Sequence, residues 1–226
     1  MRAISAGRPA ASGGSVARRG WLWVVAAATG LALVSLISNL TSEAQLSGQA
    51  DLLQATRLTV SKVVNSGTAW AGLGIVAGWL VRRVPQAVLA GLMAGTLALL
   101  VHYGLGRLLG VFPPEVWASN SSWFLAAAIT GGPLGLIGAA ARRPGLLGVL
   151  ARLVVPVAAL AEPVVVGMFT QPQILPWPDR ASSAVAGGIL LAGGLIGLLR
   201  VLLPTRASTF SAEPPRPCPQ GAEGRT

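Results

Sequence analysis

The sequence predicts an all-α fold: an integral membrane bundle of six transmembrane helices with the N-terminus and C-terminus both cytoplasmic. Three observations predict it. Apolar residues make up 53% of the 226 positions and charged residues only 11%, against about 25% charged in an ordinary globular domain; so little charge cannot cover a water-facing surface. The apolar residues fall into six stretches, each close to the roughly 20 residues that cross about 30 Å of hydrocarbon. The basic residues stand between these stretches in doublets, and cytoplasmic loops are where Arg and Lys accumulate.

Taken in chain order, residues 1–20 hold too little apolar content to offset the entropy of ordering them and are expected to form a flexible cytoplasmic tail. The first span is Trp21 to Leu40. The Arg18, Arg19 pair before it resembles a secretory or twin-arginine signal, with cleavage leaving a chain that begins at Gln45. The apolar run is longer than the roughly 7–15 residues of a signal core, so an uncleaved anchor is expected. Thr41 to Arg57 carries Leu46, Leu52 and Leu53 among polar residues. It reads equally as a short amphipathic helix on the membrane surface or as an ordinary loop.

The second span runs from about Leu58 to Val81 and opens on Asn65 and Ser66. The third follows Pro85 and reaches Leu109, the fourth runs from Trp123 to Ala141, and the fifth from Leu146 to about Phe169. The sixth is Ala184 to Leu203, completing a transmembrane domain over 21–203. Pro85 and Pro144 sit at the starts of the third and fifth spans, where a missing N–H costs little. They follow Arg82, Arg83 and Arg142, Arg143, two matching turns expected to be cytoplasmic hairpins. Residues 204–226 are expected to form a second flexible, Pro-rich cytoplasmic tail.

Orientation follows from the basic residues. With the N-terminus inside, the cytoplasmic side receives Arg2, Arg8, Arg18, Arg19, both doublets, Arg152, Arg200, Arg206, Arg216 and Arg225, which is 13 of the 17 Lys and Arg. Only Arg57, Lys62, Arg107 and Arg180 remain outside, diluted by Glu43, Asp51, Glu115 and Asp179.

Glycine, at 29 residues, is about twice as frequent as average, and its spacing forms helical stripes. Gly67, Ala71, Gly74 and Gly78 lie on one face of the second span, and Gly91, Gly95, Ala98, His102 and Gly106 on one face of the third. Gly131, Gly135 and Gly138 repeat the pattern in the fourth, and Gly193 and Gly197 in the sixth. Small stripes let backbones approach closely, which replaces the hydrophobic drive absent between helices in lipid. These glycines are expected to be packing contacts; a minority alternative is that they line a narrow solute path.

Ionisable groups inside hydrocarbon are costly, about 2.5–3.5 kcal/mol at a helix centre on insertion scales, so each needs a reason. His102 and Glu162 lie at similar distances beyond Pro85 and Pro144 and are expected to share the outer half of the bilayer. Asn65, Ser66, Tyr103 and Arg107 are expected to complete a polar cluster at that level. Glu162 precedes Pro163 and follows Pro156, so the fifth helix is expected to be interrupted near the acid. Broken helices at polar residues mark transporter sites, and a carboxylate beside an imidazole can exchange a proton or bind polar ligands. The same residues also suit a purely structural pair that fastens helices.

Several classes fall away. Cys218 is the single cysteine, in the Pro-rich tail, so neither a disulfide framework nor a paired-cysteine metal site is possible. One histidine with scattered carboxylates lacks a metal-ligand set, there is no phosphate-cradling glycine loop, and no cofactor is expected. The charge of +10 is spread between apolar runs rather than gathered as a nucleic-acid patch. The partner is the lipid bilayer, with other membrane subunits or a second copy of the chain as candidate protein partners. No catalytic residue is expected. Ser66 with His102 would be the one candidate intramembrane Ser–His pair, but Asn65, Ser66, Gly67 lacks the glycine that precedes the serine in the usual elbow.

The segment Asn65, Ser66, Gly67, Thr68, Ala69, Trp70, followed by Gly74 to Gly78 and the Arg doublet, resembles a family of small multi-helix actinobacterial membrane proteins known as a domain of unknown function. The resemblance covers Leu58 to Leu203. It implies this fold in the bacterial inner (plasma) membrane and carries no activity. The expected role is a structural or assembly component of the cell envelope. The alternative is a small permease or transporter accessory subunit, and the remote alternative an intramembrane serine hydrolase.

Overall fold

The structure, a computed structural model, describes residues 13–203, with side chains from Arg18 onward. Cys218 and the C-terminal tail lie outside the described residues, as do residues 1–12. Nine helices and no strand occur among the described residues. Five are long and apolar enough to cross a membrane: α1 (Gly13–Ser38), α5 (Val84–Leu108), α7 (Ser121–Ala140), α8 (Leu146–Val165) and α9 (Trp177–Leu202). A sixth crossing is made if α3 (Asp51–Val64) and α4 (Gly67–Leu80) are one span, bent by 44°. The short helices α2 (Glu43–Leu46) and α6 (Val116–Ser119) lie in connections. By length and apolar content this is a helical membrane protein.

Several boundaries differ from the sequence reading. Helix α1 begins at Gly13, inside the expected tail. The second span does not open on Asn65 and Ser66 but breaks there, because Ser66 leaves the helical region (φ −64°, ψ 148°) to become the N-cap of α4, its Oγ accepting from the Ala69 N–H at 3.1 Å. Thr41 to Arg57 contributes α2 and the start of α3, and Leu46, Leu52 and Leu53 remain exposed. Helix α9 starts at Trp177 rather than Ala184, with Pro178 in its first turn. Helix α8 is not interrupted: it runs through Pro156 and Pro163 and ends at Val165. Gly194 and Gly197 of α9 make room for the Pro156 turn, a Cβ on either coming within 2.8 to 2.9 Å of Pro156 atoms, so packing offsets the lost amide bond.

Antiparallel and parallel contacts alternate through the bundle. Helices α5 and α7 run antiparallel, Ala87 meeting Gly135, Gly91 meeting Gly131 and Gly95 meeting Ala127. Helix α4 runs parallel to α7, Gly74 against Leu134 and Gly78 against Gly135. At Gly78, Gly91, Gly131, Gly135 and Gly138 an added Cβ would strike the neighbouring backbone, which is the close approach small residues permit. Gly193 is a correction, since nothing lies within 4 Å of its Cβ position. Gly67 meets α8, its Cβ position lying 3.6 Å from Glu162 Oε1. Helix α1 packs on α4 and α5 through Val24, Ala28 and Ala32, which are buried with Ala77, Ala87, Ala90, Ala94 and Ala98. The Arg18, Arg19 end of α1, both Arg doublets and Arg200 gather at one end of the bundle: Gly20 meets Leu80, Arg142 meets Val81 and Arg82, and α9 runs antiparallel to α8 with Gly197 beside Pro156; we call it the arginine end.

Candidate functional site

The break between α3 and α4 organises the polar residues. Helix α4 has 14 residues, about 21 Å at 1.5 Å rise per residue, too short to cross an apolar layer of roughly 30 Å by itself, and it begins at the break in the apolar run. Its first amides need acceptors there. Glu162 of α8 supplies both: the Gly67 N–H donates to Oε1 at 2.7 Å and the Thr68 N–H to Oε2 at 2.8 Å. A carboxylate is also the charge that the positive end of a helix dipole favours. At the other end of α4, the Arg142 guanidinium donates to the carbonyls of Trp79 (2.7 Å) and Val81. Partial burial, with Arg82 nearby, lowers the Arg142 pKa from its ordinary value.

His102 and Glu162, expected to share one cluster, are held by different partners. His102, 6% exposed, meets Ser35 of α1, with Ser35 Oγ 3.1 Å from Nδ1. Ser35, fully buried, donates its hydroxyl proton to Asn65 Oδ1 at 2.6 Å. Asn65 Nδ2 donates to Ser61 Oγ at 3.2 Å, and Ser61 donates to Asn39 Oδ1 at 2.9 Å. From Ser35 onward the bonds run in one sense, through Asn65 and Ser61 to Asn39, with the imidazole at the head of the chain. Sequence reasoning found His102 and Asn65 because they are conspicuous in apolar surroundings. It missed Ser35, whose only signal was a hydroxyl one turn before Ser38 in an otherwise apolar span.

Of the other expected members, Tyr103 stacks edge-on to His102 at 4.9 Å and leads into an aromatic group with Phe112, Trp117 and Phe124. Ser66 is spent as the α4 cap and does not meet His102. Arg107 does not join the cluster: it is exposed near the end of α5, and its position so close to the helix end lets the side chain leave the apolar layer. A second polar knot was not foreseen. Lys62 Nζ donates to the Asp179 carbonyl, Ser182 Oγ and Ser183 Oγ, each at 2.8 Å, tying α3 to α9. The Asp179 carboxylate lies 3.9 Å away. Arg57 likewise caps α1, donating to the Ser38 carbonyl at 2.8 Å.

Beside the His102 chain lies a cleft of about 540 Å³ between α4 and α7, backed by α5. Its closed end is where Gly74 meets Leu134 and Gly91 meets Gly131; away from the arginine end the walls spread to Trp70, Trp123 and Asn39. Gly67, Gly74, Gly91, Gly95 and Gly131 therefore line open space as well as helix contacts. His102, Tyr103, Asn65 and Thr130 are among the polar groups on its surface, and no Lys, Arg, Asp or Glu lines it. No group of three or more potential metal ligands occurs among the described residues. Comparison with protein-family models, with curated proteins and with solved structures finds no match to this chain.

Proposed function

We propose that this protein is a small permease or transporter accessory subunit whose working site is the α4–α5–α7 cleft, without catalytic chemistry of its own. The observation that carries it is the shape of the cleft: closed by glycine contacts on its arginine side, lined toward the other end by Trp70, Trp123 and Asn39, and bordered by a polar chain at a helix break. Pockets of roughly 300–1,000 Å³ that are mostly apolar with a few placed polar groups are the usual form of small-molecule sites. Helix breaks at binding sites recur in transporters. The arginine distribution supports an arginine end in the cytoplasm of a bacterial plasma membrane, with the cleft facing outward. The resemblance to the actinobacterial family belongs to the same reading, for fold and location only.

Support for a non-enzymatic role comes from the serines. Ser35 beside His102 is fully buried and gives its proton to Asn65, and Ser66 accepts a backbone amide; neither is presented as a nucleophile. A second reading, a structural or assembly component of the envelope, is favoured by Glu162 and Arg142, which are both committed to fastening α4.

The test is a thermal-shift screen of the purified protein against small solutes, run in parallel on Ala71→Phe and Ala126→Phe, which fill the cleft from opposite walls. A saturable stabilisation of the wild type that both variants lose supports the cleft as a binding site. Stabilisation that survives in both places binding elsewhere, and the structural reading then takes over.

A further inference from the structure

Resting on the cleft as a binding site, we infer that its ligand is a neutral, planar, largely apolar molecule bearing one N–H or O–H donor, which is received by His102 Nε2. The hydrogen-bond chain determines what the imidazole can offer. Ser35 has a single proton and gives it to Asn65 Oδ1, whose orientation is fixed by the Asn65 Nδ2 bond to Ser61. Ser35 Oγ therefore accepts from Nδ1–H of His102. A neutral imidazole carries one N–H, so Nε2 is left as a lone-pair acceptor. No hydrogen bond to Nε2 forms among the described residues, and the ring lines the cleft. The one carboxylate at this level, Glu162, is occupied by the amides of α4, so nothing beside the ring calls for an imidazolium.

The remainder of the lining selects against charge and for flat rings. A charged solute would lose its hydration without meeting a counter-charge, since no Lys, Arg, Asp or Glu faces the cleft. Trp70, Trp123 and Tyr103 stand on different walls, offering the faces and edges against which aromatic rings pack. Gly91, Gly95 and Ala127 leave the floor flat between them. A site built around one acceptor rejects an analogue lacking the donor more strongly than it rejects a change in apolar bulk.

The experiment uses matched probes, indole with N-methylindole and phenol with anisole, in thermal-shift titrations of the full chain in detergent. The methylated members are more apolar and partition more into micelles, so non-specific uptake favours them. The inference predicts the opposite: indole and phenol stabilise saturably, with at least about a tenfold weaker effect for their methylated partners. In His102→Phe that discrimination disappears, while in His102→Gln, which retains an acceptor, part of it survives. Equal stabilisation by both members of a pair, lost in Ala71→Phe, would keep the cleft and overturn the donor rule. No response from any probe, with phospholipid retained in the cleft by native mass spectrometry and lost in Ala71→Phe, would overturn both the solute and its donor in favour of a lipid-filled groove. No response and no retained lipid overturns the inference as well.

Discussion

At the scale of single residues, Glu162 shows how a buried charge becomes structural. Its two oxygens each accept one amide of α4, and a charge-assisted bond is stronger than a neutral one. Glu162→Gln keeps the shape but turns one acceptor into a donor facing an N–H. The expected loss is about 1–3 kcal/mol, read as a lowered unfolding midpoint in detergent, and an unchanged midpoint would count against the cap. Ser35→Ala should cost a similar ~1–3 kcal/mol by stranding the His102 ring N–H and Asn65 Oδ1 together, whereas Ser47→Ala, whose hydroxyl is exposed, should be neutral. The sequence made Glu162 and His102 legible as groups needing partners, but not which partners. Glu162 is bound by backbone amides, which every residue carries, and His102 by a serine that an apolar helix tolerates without notice.

Among the elements, α4 is the one whose existence depends most on others. It is shorter than a full crossing, so both of its ends require help, and the α7–α8 region supplies an anion at one end and a cation at the other. Arg142→Ala should destabilise by about 1 kcal/mol, in the range of a cation at a helix C-terminus, while Arg143→Ala, which is exposed and makes no such contact, serves as the control. The apolar run from Leu58 to Val81 conceals this break, because hydropathy averages over Asn65 and Ser66 and cannot register a change of helix axis. Glycine stripes were more legible, since the close approaches they allow follow directly from spacing. Their limits are equally physical: a stripe says that a face is smooth, not whether a neighbour covers it. Gly135→Ala should therefore cost about 1–3 kcal/mol by forcing overpacking against the Ala87 carbonyl. Gly193→Ala, with nothing near its Cβ, should be neutral or slightly stabilising, as replacing a mid-helix glycine usually is.

For the whole molecule, the central question is which side the cleft faces, and charge supplies the argument. The arginine end carries Arg18, Arg19, Arg82, Arg83, Arg142, Arg143 and Arg200, and such clusters are retained in the cytoplasm during insertion. The opposite end holds Lys62 beside the Asp179 carboxylate, an ion pair that lessens the net charge to be carried across, and Asp51, which accepts from Trp177 Nε1 at 2.8 Å. An impermeant thiol reagent applied to intact cells should label Ser47→Cys in a Cys218→Ser background, because Ser47 is exposed between α2 and α3. Applied to cells carrying the unsubstituted chain, it should leave Cys218 untouched until the membrane is permeabilised. The reverse pattern would place the arginine end outside and turn the cleft toward the cytoplasm. A solute entering it would then come from within the cell, and the protein would have to be read as an exporter's subunit rather than one that captures molecules from outside.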